Sequence, residues 1–202
     1  MNTQNLMENV IELEWEMFST VRNAGRRAEC QTNKPTFSAM RASQLSDWPE
    51  ALLSSYRDDL AEAKRSERNL MTEKYAWMME STFPEEFKRM VHLLPKVEPE
   101  AMRQIDAIVA IHVAWKIAVS EKYPKIGQKG RPVCSFEDTP SDTSFETYLR
   151  GELKTYSPRT VSELHKHTLD LKARGQNGVE RELLRQVHWY GYQTLEEAET
   201  KQ

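Results

Sequence analysis

An all-α fold of about eight or nine helices in one domain spanning 1–202 is predicted by three observations. Apolar residues recur at three- and four-residue steps almost throughout the chain. Only seven glycines occur, and they stand between the periodic segments. No run alternates strictly, and the one Asn-Gly pair, Asn177-Gly178, lies between two helical patterns rather than two strands.

The elements follow in order. Leu6, Val10, Leu13, Met17 and Val21, widened by Ile11, Trp15 and Phe18, form one face of a first helix that ends near Asn23 to Gly25. After the polar stretch "NAGRRAECQTNKPTF" a helix starts near Phe37. Asp47-Trp48-Pro49-Glu50 offers a capping acceptor, a first-turn proline and an early acid, so a long helix follows with Leu53, Tyr56, Leu60 and Ala63 inward. "NLMTEKYAWMMEST" reads as a Met- and aromatic-rich core helix. Thr82-Phe83-Pro84-Glu85 has the spacing of another capped start, with Phe87, Met90, Val91 and Leu94 buried. Pro99 to Lys122 is apolar on more than one side and is expected to be a central buried helix wrapped by the others. Lys122 to Ser141 has no helical period, and compact domains rarely keep so long a connector without a use, such as a lid over a cleft or a partner-binding arm. Ser157-Pro158 opens a helix with Val161, Leu164, Thr168 and Leu171 inward and Gly175 past its end, and a last helix runs from Val179 to Gly191.

A weak repeat underlies this order. Trp48 and Tyr156, like Asn69 and Asn177, are separated by 108 residues, and Pro49 and Pro158 by 109. A pseudo-twofold pair of helical hairpins, near 37–80 and 145–190, would account for it.

Composition narrows the function classes. With 28 Lys and Arg against 31 Asp and Glu, the net charge is −3 and no basic stripe marks a nucleic-acid surface. The longest apolar-rich run, Ile105 to Val119, carries Asp106, His112 and Lys116, so no membrane span is expected. "MNTQNLMENV" has neither the basic nor the apolar region of a signal peptide, and the two cysteines, Cys30 and Cys134, imply free thiols; a cytoplasmic protein is the expectation.

The segments "EWEMFSTVRNAGRRAECQ", "FSAMRASQ", "SSYRDDLAEA", "RNLMTEKYAWMM" and "TSFETYLRGELKTYS" resemble a bacterial family, domain of unknown function 4125, over nearly the whole length. In that pattern a second glycine follows Gly25 and another precedes Arg68; here the positions hold Arg26 and Glu67. The resemblance implies no reaction, so roles are read from the side chains.

Cys30 follows Arg26 and Arg27, neighbours that favour a thiolate, although most free cysteines are inert packing residues. Arg27, Arg41 and Arg131 occupy or flank loops, and arginine suits a carboxylate or phosphate; with Gln31 and Gln44 they form the candidate substrate-binding set, against the alternative that they tie down carbonyls. Glu14, Glu73, His112 and Cys30 are the candidate acid, base and nucleophile pool; Glu73 needs a partner if its helix is buried, and His112 sits four residues before Lys116 on the apolar helix. No cofactor and no metal is expected, because His-Glu-x-x-His, Glu-x-x-His and Cys-x-x-Cys are absent; Glu163, His167 and Asp170 share a face that reads as solvated. The expectation is a small cofactor-independent enzyme, of lyase, isomerase or hydrolase type, acting on an amino-acid-like or other anionic carboxylate. The alternative is a helical interaction module whose loops and tail, "LEEAETKQ", bind a protein partner.

Overall fold

Helix starts set the local structure. The computed structural model describes the backbone of residues 2–21 and 29–202 and, of these, every side chain but those of Glu29 and Cys30. Its α-helices are α1 (Thr3–Thr20), α2 (Lys34–Leu45), α3 (Glu50–Arg65), α4 (Leu70–Thr82), α5 (Pro84–Met90), α6 (Pro99–Lys122), α7 (Pro124–Gly127), α8 (Phe145–Leu153), α9 (Pro158–Ala173), α10 (Gly178–Trp189) and α11 (Leu195–Thr200). Nine have seven residues or more, and no strand occurs among the described residues. The side chains of Asn2, Asn33, Asn69, Ser144, Ser157, Asn177 and Thr194 each accept a backbone N–H in the first turn that follows, which satisfies one of the orphan donors there. Of the other four helices, three begin on a proline, Pro84, Pro99 or Pro124, which has no N–H to leave unpaired, and α3 begins directly after Pro49.

Two expected caps are not made. Asp47 does not cap α3, because Arg181 and Arg185 of α10 take its carboxylate. Thr82 belongs to the end of α4, and its hydroxyl donates back to the Met78 carbonyl. The connector after α6 contains α7 and a short 3₁₀ turn at Ser135–Glu137. The tail forms α11, which buries Leu195 and Ala198 and turns the Glu199 carboxylate onto the N–H groups of Lys125 and Ile126.

The main core joins α1, α3, α6 and α9 through side chains such as Val10, Leu53, Tyr56, Leu60, Ile105 and Val161, all buried. Truncating Leu53, Leu60 or Ile105 to Ala costs about 2–5 kcal/mol. A smaller core of Val119, Tyr123, Ile126, Val179 and Val187 holds α7, α10 and α11 to the end of α6. At 24 residues α6 is the longest helix, and it packs on α7, α8, α9 and α10. Its remaining flank, Ala110, Ala114, Ile117 and Ala118, is exposed. No helix of the described residues is long and apolar enough to cross a membrane.

The hairpins α3–α4 and α9–α10 match bond for bond at a spacing of 108. Asn69 and Asn177 cap α4 and α10 through their side-chain oxygens, and their amides donate to Met17 O at 2.9 Å and Trp115 O at 3.0 Å. The turn closing α3 has Arg68 N on Ala63 O at 2.8 Å; the turn closing α9 has Gln176 N on Leu171 O at 2.9 Å. The left-handed residue of each turn is Glu67 (φ 56°) or Gly175 (φ 68°). The short helices cross over: α2 packs on α1 and α10, and α8 packs on α6 and α4.

Candidate functional site

Four charges are sealed between α1, α2, α4 and α8. The Glu14 carboxylate, 0% exposed, accepts from Arg41 Nε at 2.7 Å and from the Tyr56 hydroxyl at 2.6 Å. Arg41 also reaches Glu152 at 3.2 Å. Glu152 takes Lys74 Nζ at 2.5 Å on its other oxygen and accepts from the Tyr156 hydroxyl at 2.8 Å. Two carboxylates and two cations cancel, which is the condition for burying them. Burial opposes the charge on Glu152, yet Lys74 and Arg41 hold its carboxyl down at about 2. Burial and the neighbouring carboxylates keep the Tyr56 and Tyr156 phenols well above their usual range. Gly151 permits the contact: a Cβ there would lie 2.9 Å from Met78 Cγ and 3.0 Å from Lys74 O, so only glycine lets α8 close on α4 and bring Glu152 to Lys74.

Beside this network a cavity of about 300 Å³ opens between α2, α6, α8, α9 and α10, with the segment after α7 at its mouth. Lys116, Lys129 and Arg131 face it, and among the described residues none of them pairs with a carboxylate. Lys116 donates to the Gly127 carbonyl at 2.7 Å, Arg131 to the Thr143 carbonyl at 2.9 Å, and Lys129 to the side chain of Gln202. The Tyr148 ring lies 3.4 Å from Lys74 Nζ and 4.5 Å from the Arg131 guanidinium, joining the buried network to the mouth by cation–π contacts. Burial lowers the Lys116 ammonium below its usual range.

Glu182, half-buried on α10, accepts from the Gln186 amide at 2.9 Å and has no ion pair among the described residues. Burial raises its carboxyl, an effect that Gln44, Arg41 and Lys116 oppose and Glu152 reinforces. Burial, aided by His167, lowers His112 to about 4, so its imidazole is neutral at physiological pH. His112 Nε2 lies 3.4 Å from the Thr168 hydroxyl, and its ring packs 5.0 Å from that of Trp115. At the rim, Asp47 accepts from Arg181 at 2.6 and 2.9 Å and from Arg185.

Of the residues singled out in the sequence, Arg41, Gln44, His112 and Arg131 line this cavity. Arg41 is engaged by Glu14, Glu152 and Gln44, so it serves the buried network rather than standing free for an anion. Glu14 sits behind it as that network's innermost charge. Gln31 lies away from the cavity, where its amide donates to Phe18 O at 3.0 Å and Val21 O at 2.9 Å and ties off the end of α1. Glu73 is also elsewhere, held by Arg68 at 2.8 and 2.7 Å. Arg27 and the Cys30 side chain lie outside the described residues. Glu163 pairs with Lys166 and Asp170 with Arg174, while His167 of the same face turns into the cavity. Among the described residues no three His, Cys, Asp or Glu are grouped to hold a metal ion.

Sequence reasoning missed Glu182, Glu152 and Tyr148, and it noted Lys116 only as a neighbour of His112. The signal for Glu182 was present: it stands 108 residues after Lys74, and Glu152 stands 108 after Gln44. No curated protein and no solved structure matches this chain. A family model described as "Protein of unknown function (DUF4125)" matches residues 4–200, and the chain therefore belongs to that family.

Proposed function

We propose that this chain is a small enzyme acting on a carboxylate substrate, amino-acid-like ones included, by side-chain acid–base chemistry in the cavity between α2, α6, α8, α9 and α10. One observation carries the reading. The buried charges Glu14, Lys74, Glu152 and Lys154 are all ion-paired, whereas on the cavity's open side half-buried Lys116 and the exposed Lys129 and Arg131 are bonded only to neutral acceptors, and Glu182 makes no ion pair among the described residues. Charges left unneutralised around a concave site favour a ligand that neutralises them. Lys116 and Arg131 hold the substrate carboxylate, and Lys129 adds positive potential at the mouth. His112 transfers the proton: it is neutral and can accept, and a bound anion nearby raises its basicity.

A panel of small carboxylates should raise the melting temperature, because a ligand of the native state stabilises by mass action, by about 2.7 kcal/mol at one hundred times Kd. Lys116→Met and Arg131→Met should abolish the rise, read against each variant's own melting temperature without ligand, since both side chains also bond backbone carbonyls. Each stabilising carboxylate, incubated in D2O with the protein, should then exchange a carbon-bound proton or be converted, and His112→Gln should stop this. A flat panel would instead favour the interaction-module reading.

A further inference from the structure

The spacing of 108 residues assigns a counterpart to each wall of the cavity. Helices α3 and α9 span the same length at this offset, α4 and α10 start at it, and α2 and α8 end at it. Tyr56, Met71, Lys74 and Met78 of the first hairpin therefore correspond to Leu164, Val179, Glu182 and Gln186 of the second. All four first-hairpin side chains are buried and fill their space. All four counterparts line the cavity, and Tyr56 and Met71 are replaced there by the smaller Leu164 and Val179. The cavity is the place where the second hairpin lacks the bulk of the first.

The charges follow the same pairing. In the first hairpin Lys74 meets Glu152 of α8 in an ion pair at 2.5 Å. At the related place Glu182 lies beside Gln44 of α2, so the carboxylate is on the opposite partner; Arg41 and Lys116 act on it through space, but among the described residues no ammonium is bonded to it. Building on the carboxylate reading above, we propose that the substrate supplies that ammonium: Glu182 binds a primary amine of the ligand, and Leu164 and Val179 receive an apolar body. With Lys116 and Arg131 on the carboxylate, the substrate class is an α-amino acid with an apolar or aromatic side chain. Trp48, Phe145 and Tyr148 in the same walls suit such a body.

Two ligand series test this by calorimetry: phenylalanine, 3-phenylpropanoate and 2-phenylethylamine, and leucine, 4-methylpentanoate and 3-methylbutylamine. The amino acid of at least one series should bind tenfold or more tighter than both of its single-charge analogues. Glu182→Gln should reduce the amino acid to the affinity of the plain acid without changing that of the plain acid. This variant removes an unpaired carboxylate, so its melting temperature should equal or exceed that of the wild type. If the acid and the amino acid bind equally well, the amine assignment is overturned and the carboxylate reading stands. If the amine binds as well as the amino acid and depends on Glu182, the assignment to Glu182 stands and the carboxylate reading falls. Absence of binding by all six compounds overturns the apolar amino-acid assignment, while only a flat carboxylate panel overturns the carboxylate reading.

Discussion

Replacing Glu152 by Gln should change how the protein meets acid. The Glu152 carboxyl ionises at about 2 in the folded chain against an ordinary 4.5. At about 1.4 kcal/mol per tenfold change, this is worth roughly 3 kcal/mol of stability. The sign follows from the depressed value: the contribution is complete above 4.5 and disappears as the pH falls towards 2. Screening removes little of it, because the side chain is only 10% exposed. At neutral pH, Glu152→Gln leaves Lys74 buried with no carboxylate, a loss of about 3–5 kcal/mol. Urea unfolding followed by circular dichroism at steps from pH 7 to 2 should show the wild type and the variant far apart at neutrality and converging below 4.5. Curves that stay parallel through that window would refute the reasoning, because the acid sensitivity would then belong to other groups. Lys74→Met combined with Glu152→Leu should recover part of the loss, since it removes both charges together.

The remaining predictions concern the backbone and α1. Glu67 holds a left-handed conformation with an exposed side chain that makes no bond among the described residues, so Glu67→Gly should stabilise by about 0.5–1 kcal/mol, after allowing for the freer unfolded chain. Gly175→Ala, at the matching turn with open space around the new Cβ, should destabilise by a similar amount; thermal unfolding reads both, and effects of equal sign would contradict the account. Gln31→Ala removes the amide that satisfies two carbonyls at the end of α1 and should cost about 1–3 kcal/mol by urea unfolding. A neutral result would mean that water replaces that amide.

The helices were legible because their punctuation is local: Asn69, Ser157 and Asn177 cap within three residues, and Pro84 and Pro99 start helices by what they lack. α8 was harder, because nine residues give few turns over which a period can show. Asp47 had the form of a cap, yet a bidentate arginine 134 residues away offers a charge-assisted pair that outweighs one backbone N–H. The same distance hid the site. The electrostatics of Arg41 depend on Glu14 and Glu152, and those of Glu182 on what α2 and α6 place around it, so no window along the chain contains the pairing. Residue type alone suggested His112, Arg131 and Gln44, which line the cavity; it equally suggested Gln31 and Glu73, which lie away from it, bonded to the end of α1 and to Arg68.

The crossing of α2 and α8 bears on how the chain is made. While the first half leaves the ribosome, Glu14, Arg41 and Lys74 are together one positive charge in excess, and the balancing carboxylate, Glu152, lies 78 residues beyond Lys74. Until α8 emerges, burying that cluster would strand an ammonium, and until α10 emerges, α2 lacks the helix it leans on. The first hairpin thus completes its packing only once residues 145–189 are available. A chain cut short before α8 would leave Lys74 without the carboxylate that neutralises it.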